Sequence, residues 1–377
     1  MKICDITMFY SPTGGGVRRY LDTKRRWLRQ RYPSVEHVLV VPGEEPGMRR
    51  DSCGRIYSVG GARLPFSPGY RLPLGRRRIA GILKEEAPDL IEVGSPFTMR
   101  RAVSAALADS GAPVFDYYHA YFPPSYAAAL GRPLTFLKAP LLRWGWSYLR
   151  RIYADSAGIL VASPVIRDVL HANGIANTVL APLGVDVDRF RPEEGKRSDT
   201  PTLLFAGRLT EEKGISVLLE TYRMLRRSRR VRLVIAGHGI MRETVEKIAE
   251  DDSDISYLGY VPNSAMPDVY AGADLLVSAA PTETLGLYFL EALASGVPVV
   301  GLSGSGLMDV LPNRVARAVL HQNPRELAEA CEGLLNNRPS RESCREAALG
   351  YSWPKSLQRI LELETGISGM EMPEART

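Results

Sequence analysis

Short apolar runs alternate with stretches of helical periodicity along most of the chain. Residues 2–9 (KICDITMF) read as a strand, 11–16 (SPTGGG) as a tight turn and 17–31 as a helix. In that helix Val17, Tyr20, Leu21, Trp27 and Leu28 return near helical spacing, while Arg18, Arg19, Asp22, Arg25, Arg26 and Arg29 fall on the other side. Further strands are predicted over 37–41, 90–93, 114–118 and 159–162, with a helix over 79–86. Strands that alternate with helices in this way build a parallel sheet covered on both faces.

The alternation stops at 181–198 (APLGVDVDRFRPEEGKRS), which is rich in proline, glycine and charge and marks a domain linker. A second βα series follows, with strands over 202–205, 232–236, 255–258, 275–278 and 297–300. Its helices cover 215–226, 241–250 and 264–272, and one more opens after Gly286. Helical patterns over 327–334, 341–348 and 353–364 close the chain, and the composition after Gly369 reads as disordered. The predicted organisation is an N-terminal Rossmann-like domain (1–190), a C-terminal one (191–355), and a helix with a tail (356–377) that crosses back. Ligands of open α/β sheets bind outside the carboxyl ends of the strands, so the expected site is a cleft between the halves.

Composition narrows the class. With 377 residues the chain is long enough for two cores, and 45% hydrophobic with 24% charged residues is the balance of a soluble globular protein. No stretch approaches 18 uncharged apolar residues, and residues 1–10 lack the basic start and long apolar run of a signal peptide, so the cytoplasm is the expected compartment. Cys4, Cys53, Cys331 and Cys344 are scattered without a C-x-x-C pair, which predicts buried free thiols rather than a zinc site or a disulfide framework. The net charge of +6, carried mostly by arginine, suits an anionic partner: nucleotide phosphate, lipid headgroup or nucleic acid. Nucleic acid is disfavoured, because no RNA- or DNA-binding motif accompanies the charge.

The stretch 281–296 (PTETLGLYFLEALASG) organises the candidate chemistry. Gly286, Leu287 and Tyr288 stand where a helix begins, so their backbone N–H groups lack intrahelical acceptors and can hold a phosphate. Glu283 at the mouth and Glu291 further inside can each accept hydrogen bonds from hydroxyls on groups attached to that phosphate. A phosphate flanked by two hydroxyl-bearing groups describes a nucleotide sugar. In 205–214 (FAGRLTEEKG) Arg208 and Lys213 follow a strand, where two cations can share a diphosphate; a surface pairing with Glu211 and Glu212 is the plainer alternative. Gly15 and Gly16, before a helix, let backbone approach a ligand closely. His119 follows the strand over 114–118 among Tyr117, Tyr118 and Tyr121, either as part of a sugar-facing wall or as a structural hydrogen-bonder.

Several rival readings fit less well. A dinucleotide site wants G-x-G-x-x-G and an acid after the second strand, whereas the glycines lead into Val17-Arg18-Arg19 and that strand ends in Val40-Val41-Pro42. Gly237-His238-Gly239 is an isolated G-x-G. Asp186-x-Asp188 looks like the D-x-D metal motif of other sugar transferases, but it lies in the linker and reads as turn chemistry. A glycosidase pair holds its carboxyls roughly 5–9.5 Å apart. The helical path from Glu283 to Glu291 spans about 12 Å, which favours two separate hydroxyl contacts. Residues 132–153 (RPLTFLKAPLLRWGWSYLRRIY) mix Trp, Leu and Tyr with Lys and Arg, as in a helix lying on an anionic bilayer or a core helix with a solvated basic side.

Taken together these residues resemble the retaining glycosyltransferases of the GT-B fold known as family 4. The likeness rests on the E-x7-E of Glu283 and Glu291 with ALASGVPVV (292–300), on GRL…KG (207–214), on Gly184-Val185-Asp186, on the glycine turn 14–16 and on His119. The stretch 63–78, with Pro88-Asp89 and Ser95-Pro96-Phe97, further resembles the GDP-mannose-dependent α-mannosyltransferase branch. The resemblance implies an α/β protein of two Rossmann-like parallel-sheet domains facing across a cleft. It implies transfer of a hexose from a nucleotide-sugar donor to a glycan or lipid-linked acceptor, with no metal and no cofactor, the donor being a substrate. It also implies that Glu283 contacts the transferred sugar and Glu291 the ribose, that the 286–288 backbone and Gly16 meet the diphosphate with Arg208 and Lys213, and that His119 lies beside the anomeric centre. Leu285 replaces a usual Phe, His238 and Ile240 replace the Asp and Pro of a common G-D-G-P turn, and SGSGLMD (303–309) lacks the frequent Glu. These departures surround the donor, so a UDP-glucose or UDP-GlcNAc donor, or a GT-B nucleotide-sugar epimerase, is the alternative.

Overall fold

The computed structural model describes residues 1–11, 15–64, 67–73, 75–107, 111–124, 127, 132–193 and 200–376. It divides into two compact units, Met1–Pro182 with Ser356–Thr377, and Leu183–Lys355. The division falls a little earlier in the chain than the composition of the linker suggests.

In the first unit the strands are β1 (Lys2–Ile6), β2 (Glu36–Gly43), β3 (Gly47–Asp51), β4 (Gly54–Leu64), β5 (Ser67–Pro73), β6 (Leu90–Val93), β7 (Val114–Tyr117), β8 (Gly158–Val161) and β9 (Thr178–Leu180). They are ordered β3-β4-β2-β1-β6-β7-β8-β9, with β5 on β4. All pairings are parallel except those of β3 and β5 with β4. The central strands are buried along almost their whole length, as runs covered by helices on both faces must be. The β3–β5 extension is not expected from the sequence, because β3 (GMRRD) is exposed and charged and is held by backbone pairing rather than by an apolar face. The helices are α1 (Gly16–Arg31), α2 (Arg76–Glu86), α3 (Thr98–Leu107), α4 (Lys138–Ile152) and α5 (Pro164–Ala172).

Helix α1 corrects one expectation. Arg25, assigned to the solvent side, is buried together with Lys24. The reason is ionic: Lys24 Nζ lies 2.8 Å from both Asp5 Oδ1 and Glu92 Oε2, and Arg25 forks onto Asp51 with two bonds of 2.9 Å. A second correction concerns the thiols. Cys4, Cys331 and Cys344 are buried, but Cys53 is partly exposed, at the turn between β3 and β4.

The second unit carries β10 (Thr202–Ala206), β11 (Arg232–Ala236), β12 (Ile255–Gly259), β13 (Leu275–Val277), β14 (Val299–Leu302) and β15 (Ala316–Val319). All are parallel, in the order β12-β11-β10-β13-β14-β15. Its helices are α6 (Ile215–Leu225), α7 (Arg242–Asp251), α8 (Met266–Ala271), α9 (Leu287–Ala294), α10 (Pro324–Asn336) and α11 (Arg341–Leu349), and α12 (Trp353–Ser368) leads back to the first unit. Leu203, Phe205, Leu233, Ile235, Leu275, Val277 and Val300 of the sheet pack against Leu218, Tyr222, Leu327 and Cys331 of α6 and α10. Each large aliphatic side chain so buried is worth roughly 1.5–3 kcal/mol. The chain lays β10, β11 and β12 outward in one direction, then returns to place β13 on the other side of β10. That reversal creates a switch point at the carboxyl ends of β10 and β13, where open α/β sheets bind ligands.

The linker and the tail are more tightly tied than their composition suggests. Val185 N donates to Tyr351 O at 2.8 Å, and the Asp186 side chain accepts from Arg189 N at 3.0 Å, which is turn chemistry. Residues 194–199 of the linker lie outside the described residues. Beyond Gly369, Arg376 N donates to Arg31 O at 2.7 Å and Arg31 Nη1 donates to Arg376 O at 2.6 Å, so the tail is pinned to the end of α1.

Candidate functional site

The loop after β10 carries Arg208 and Lys213. It rests on the Gly237–Gly239 turn: Gly207 N donates to Ala236 O (3.0 Å), Leu209 N to His238 O (3.1 Å) and Met241 N to Leu209 O (3.1 Å). The G-x-G after β11 is thus the seat of the Arg208 turn. A single 3-10 turn, Glu211–Lys213, then leads into α6 through Gly214, at φ 73°. A Cβ at Gly214 would stand 2.3 Å from the Ala279 carbonyl oxygen, so only glycine lets this loop close against the one that leaves β13. The closure brings Lys213 Nζ to 2.6 Å from Glu283 Oε1. Arg208 is 68% exposed and stands 3.9 Å from Glu212, the surface pairing that the sequence left open.

The loop after β13 ends at Gly286, whose φ of 78° is left-handed and whose Cβ would lie 2.5 Å from the Phe289 ring. Helix α9 therefore begins with no capping side chain and no acid in its first turn, the arrangement that leaves N–H groups for an anion. The neighbouring loop steadies it: Gly306 N donates to Glu283 O (3.0 Å) and Leu307 N to Leu285 O (3.2 Å). Asp309 bends that loop by accepting from Ser303 Oγ (2.7 Å) and Gly304 N (2.6 Å). An acid thus stands in the stretch 303–309, and its work is on the loop itself.

One contact was not legible in the sequence. The Tyr288 hydroxyl donates to Glu283 Oε1 at 3.1 Å and shares a hydrogen bond of 2.9 Å with Ser278 Oγ. Burial, and then the Glu283 charge, push this phenol well above its usual range, so it stays a donor. Sequence reasoning used only the Tyr288 backbone; the available signal was a tyrosine in the first turn of the helix that follows the glutamate. Glu291 sits in a different setting, 5% exposed, with the Tyr270 hydroxyl donating to its Oε2 at 2.9 Å. Glu283 and Glu291 thus have separate partners, as two independent hydrogen-bond acceptors require.

The remaining sequence candidates belong to the first unit. Gly15 caps α1 without a side chain and accepts Arg19 N at 3.1 Å, and Gly16 opens the helix; Gly14 lies outside the described residues. His119 follows β7, half-buried, with its ring stacked on Tyr117 at 4.0 Å and tilted against Tyr20 at 5.6 Å. Burial pushes its imidazole down to about 3, so it is neutral at physiological pH. The expected tyrosine wall is corrected in part. Tyr117 and Tyr118 are each 1% exposed and donate their hydroxyls to the carbonyls of Ala181 and Phe122, which leaves only His119 and Tyr121 half-exposed.

Residues 14–189 match the family described as Glycosyltransferase Family 4, and residues 186–350 match Glycosyl transferases group 1. The chain is a GT-B glycosyltransferase of the group 1/family 4 type. This glycosyltransferase is similar to the GDP-mannose-dependent alpha-(1-6)-phosphatidylinositol dimannoside mannosyltransferase of Mycobacterium tuberculosis, 26% identical over 377 residues that cover 96% of this chain and 95% of the relative. It is also similar to sulfoquinovosyl transferase SQD2 of Arabidopsis thaliana, 25% identical over 94% of this chain and 72% of that one. Its fold is that of sucrose-phosphate synthase from Thermosynechococcus elongatus, with a TM-score of 0.79 over 98% of this chain and 100% of the other at 16% identity.

Proposed function

We propose that this glycosyltransferase moves a hexose, with mannose favoured, from a nucleoside diphosphate, with GDP favoured, to a hydroxyl of a lipid-linked or glycan acceptor, retaining the α-linkage. The observation that carries the reading is the Lys213–Glu283 pair at the switch point, beside the uncapped start of α9. A cation and a row of N–H groups suit a diphosphate, and the adjoining carboxylate suits sugar hydroxyls. In the proposed step the bond from the anomeric carbon to the diphosphate breaks while a bond to the acceptor oxygen forms on the same face. The acceptor proton leaves on the departing phosphate, so the scheme uses neither a separate base nor a metal.

Charge growing on the diphosphate is met by Lys213, Arg208 and the α9 N-terminus; one such contact is worth roughly 3–4 kcal/mol, or about 10²–10³ in rate. Glu291 takes the ribose, Gly15 and Gly16 the diphosphate, and His119 the transferred sugar as a neutral imidazole. The mycobacterial relative's GDP-mannose donor and phosphatidylinositol dimannoside acceptor support GDP-mannose and a lipid acceptor, while the plant relative is named for a different sugar. Thermal shift with GDP, UDP and ADP and their sugars tests the donor: GDP-mannose is expected to stabilise most, by about 2.7 kcal/mol at a hundredfold excess over Kd. A UDP-sugar stabilising more strongly overturns the donor assignment, and no stabilisation by any nucleotide sugar overturns the whole reading.

A lipid acceptor calls for a membrane-facing surface, and α4 has the composition of one. From Arg132 to Ile152 the chain holds five cations and no acid. Phe136, Leu137 and Trp144 are 70%, 39% and 59% exposed. Trp144 stacks on Tyr148 at 5.6 Å, and the Arg101 guanidinium lies 4.9 Å over the Tyr148 ring. Exposed aromatics among cations suit the headgroup layer of an anionic bilayer, here the inner face of the cytoplasmic membrane. None of the described helices is long and apolar enough to cross a membrane. Co-sedimentation with liposomes is expected to be stronger with anionic than with neutral lipid and weaker for Trp144→Ser; equal binding to both lipids removes the proposal.

A further inference from the structure

Glu283 is held by two donors on one oxygen. Lys213 Nζ lies 2.6 Å and the Tyr288 hydroxyl 3.1 Å from Oε1, whereas Oε2 hydrogen-bonds to none of the described residues. The two donors differ in what a ligand does to them. Lys213 is a flexible cation, 15% exposed, and a diphosphate arriving at the α9 N-terminus competes for its ammonium. Tyr288 is neutral, fixed in the first turn of α9, and braced from behind by Ser278 Oγ at 2.9 Å. Ser278 is itself placed by the sheet, since its N–H donates to Val300 O at 2.9 Å. A phosphate therefore attracts one of the two donors and leaves the other where it is.

We propose that Tyr288, braced by Ser278, is the positioning residue that keeps the Glu283 carboxylate aimed at the donor sugar once the diphosphate has drawn Lys213 away. This rests on the donor-binding reading above and deepens it, by assigning sugar recognition to the three-residue chain Ser278, Tyr288, Glu283. Oε1 stays anchored by the phenol, and Oε2 is left to accept from a sugar hydroxyl. Without the phenol, a carboxylate released by Lys213 rotates among several orientations and loses the sugar contact. The base and the diphosphate do not touch this chain of hydrogen bonds. Its loss therefore shows only in the part of donor affinity and turnover that comes from the sugar.

The test is calorimetric binding of GDP and of GDP-mannose, and in parallel of UDP and UDP-glucose, to wild type, Tyr288→Phe, Ser278→Ala and Glu283→Gln, together with kcat and KM for the pair that binds. In Tyr288→Phe the affinity for the free nucleotide is expected to stay within twofold, while the extra affinity contributed by the sugar falls about tenfold and kcat falls with it. Ser278→Ala shows the same pattern at smaller size, and Tyr288→Phe made on Glu283→Gln shows no further loss. If Tyr288→Phe keeps the wild-type gap between nucleotide and nucleotide sugar, or weakens both equally, the positioning role is wrong while the donor reading stands. If wild type binds no nucleotide sugar more tightly than its free nucleotide, both fall together.

Discussion

Each unit of this glycosyltransferase has a lysine in close contact with a carboxylate, and the two lysines serve opposite ends. In the first unit Lys24 is 3% exposed and its partners Asp5 and Glu92 are each 1% exposed. Tyr20 donates to Glu92 (2.7 Å), and His37 Nε2 meets Asp5 Oδ2 at 2.7 Å while its Nδ1 accepts from Arg25 (3.3 Å). Burial works against the Asp5 carboxylate, yet Lys24 and His37 hold it down to about 2. Glu364, brought back by α12 and wholly enclosed, is pushed well above the carboxylate range by burial, against the pull of Lys24 and with the charges of Glu92 and Asp5 adding to it. In the second unit Lys213 and Glu283 are each 15% exposed, and Glu283 Oε2 hydrogen-bonds to none of the described residues. A network sealed from solvent gives a ligand no access and serves the fold; a partly exposed pair at a switch point gives it access.

The widest gap between the two is expected in stability. Lys24→Met removes a charge from between two buried carboxylates and is expected to cost about 3–5 kcal/mol, read as a lowered urea midpoint at unchanged slope. Lys213→Met relieves a half-open pair and is expected to leave stability within about 1 kcal/mol. Activity reverses the order: Lys213→Met is expected to lower turnover by about 10²–10³, whereas Lys24→Met, wherever it still folds, keeps the kcat of its folded fraction. Equal loss of stability in both variants would show that the second pair is also a structural element.

The sequence disclosed these two pairs unequally, for a physical reason. Strands with continuous apolar runs and helices with a clear period were legible because burial itself writes the pattern, as in Leu90–Val93 and Ile215–Leu225. The exposed hairpin of β3 lacks that pattern, since its residues answer to backbone pairing and solvent. Lys24 and Arg25 were not legible either, because a lysine in contact with Glu92 across the fold looks, in a helix, like any solvated lysine. The hint lay in the partners: Asp5 within KICDI and Glu92 within LIEV are charges inside runs otherwise fit for burial. Lys213, Glu283 and the helix start each stood out in the sequence as a separate candidate, because loops at strand ends have little other reason to carry that combination, but the contact between Lys213 and Glu283 was not legible. The Tyr288 side chain was not, since its ring packs like any aromatic beside Phe289 and only the position of its hydroxyl gives it a role.

A smaller effect separates the units under acid. His119 is pushed down to about 3 by burial, so between its unfolded value near 6.5 and that folded value the unfolded chain binds a proton that the native chain refuses. Stability from this group is complete above about pH 6.5 and is lost as the pH falls toward 3; down to pH 5 the loss is about 1–2 kcal/mol. His37, also lowered by burial, adds in the same direction and is present in every variant compared. Asp5 acts only further down, because its stabilisation is intact above the ordinary carboxylate range and fades as the pH approaches 2. Urea unfolding of wild type and His119→Gln at pH 7 and pH 5 isolates the His119 contribution. Wild type is expected to lose about 1–2 kcal/mol more than the variant over that interval. Parallel losses would mean that the imidazole takes up its proton normally in the folded chain, and the neutral ring assigned to the transferred sugar would then be a cation at mildly acid pH.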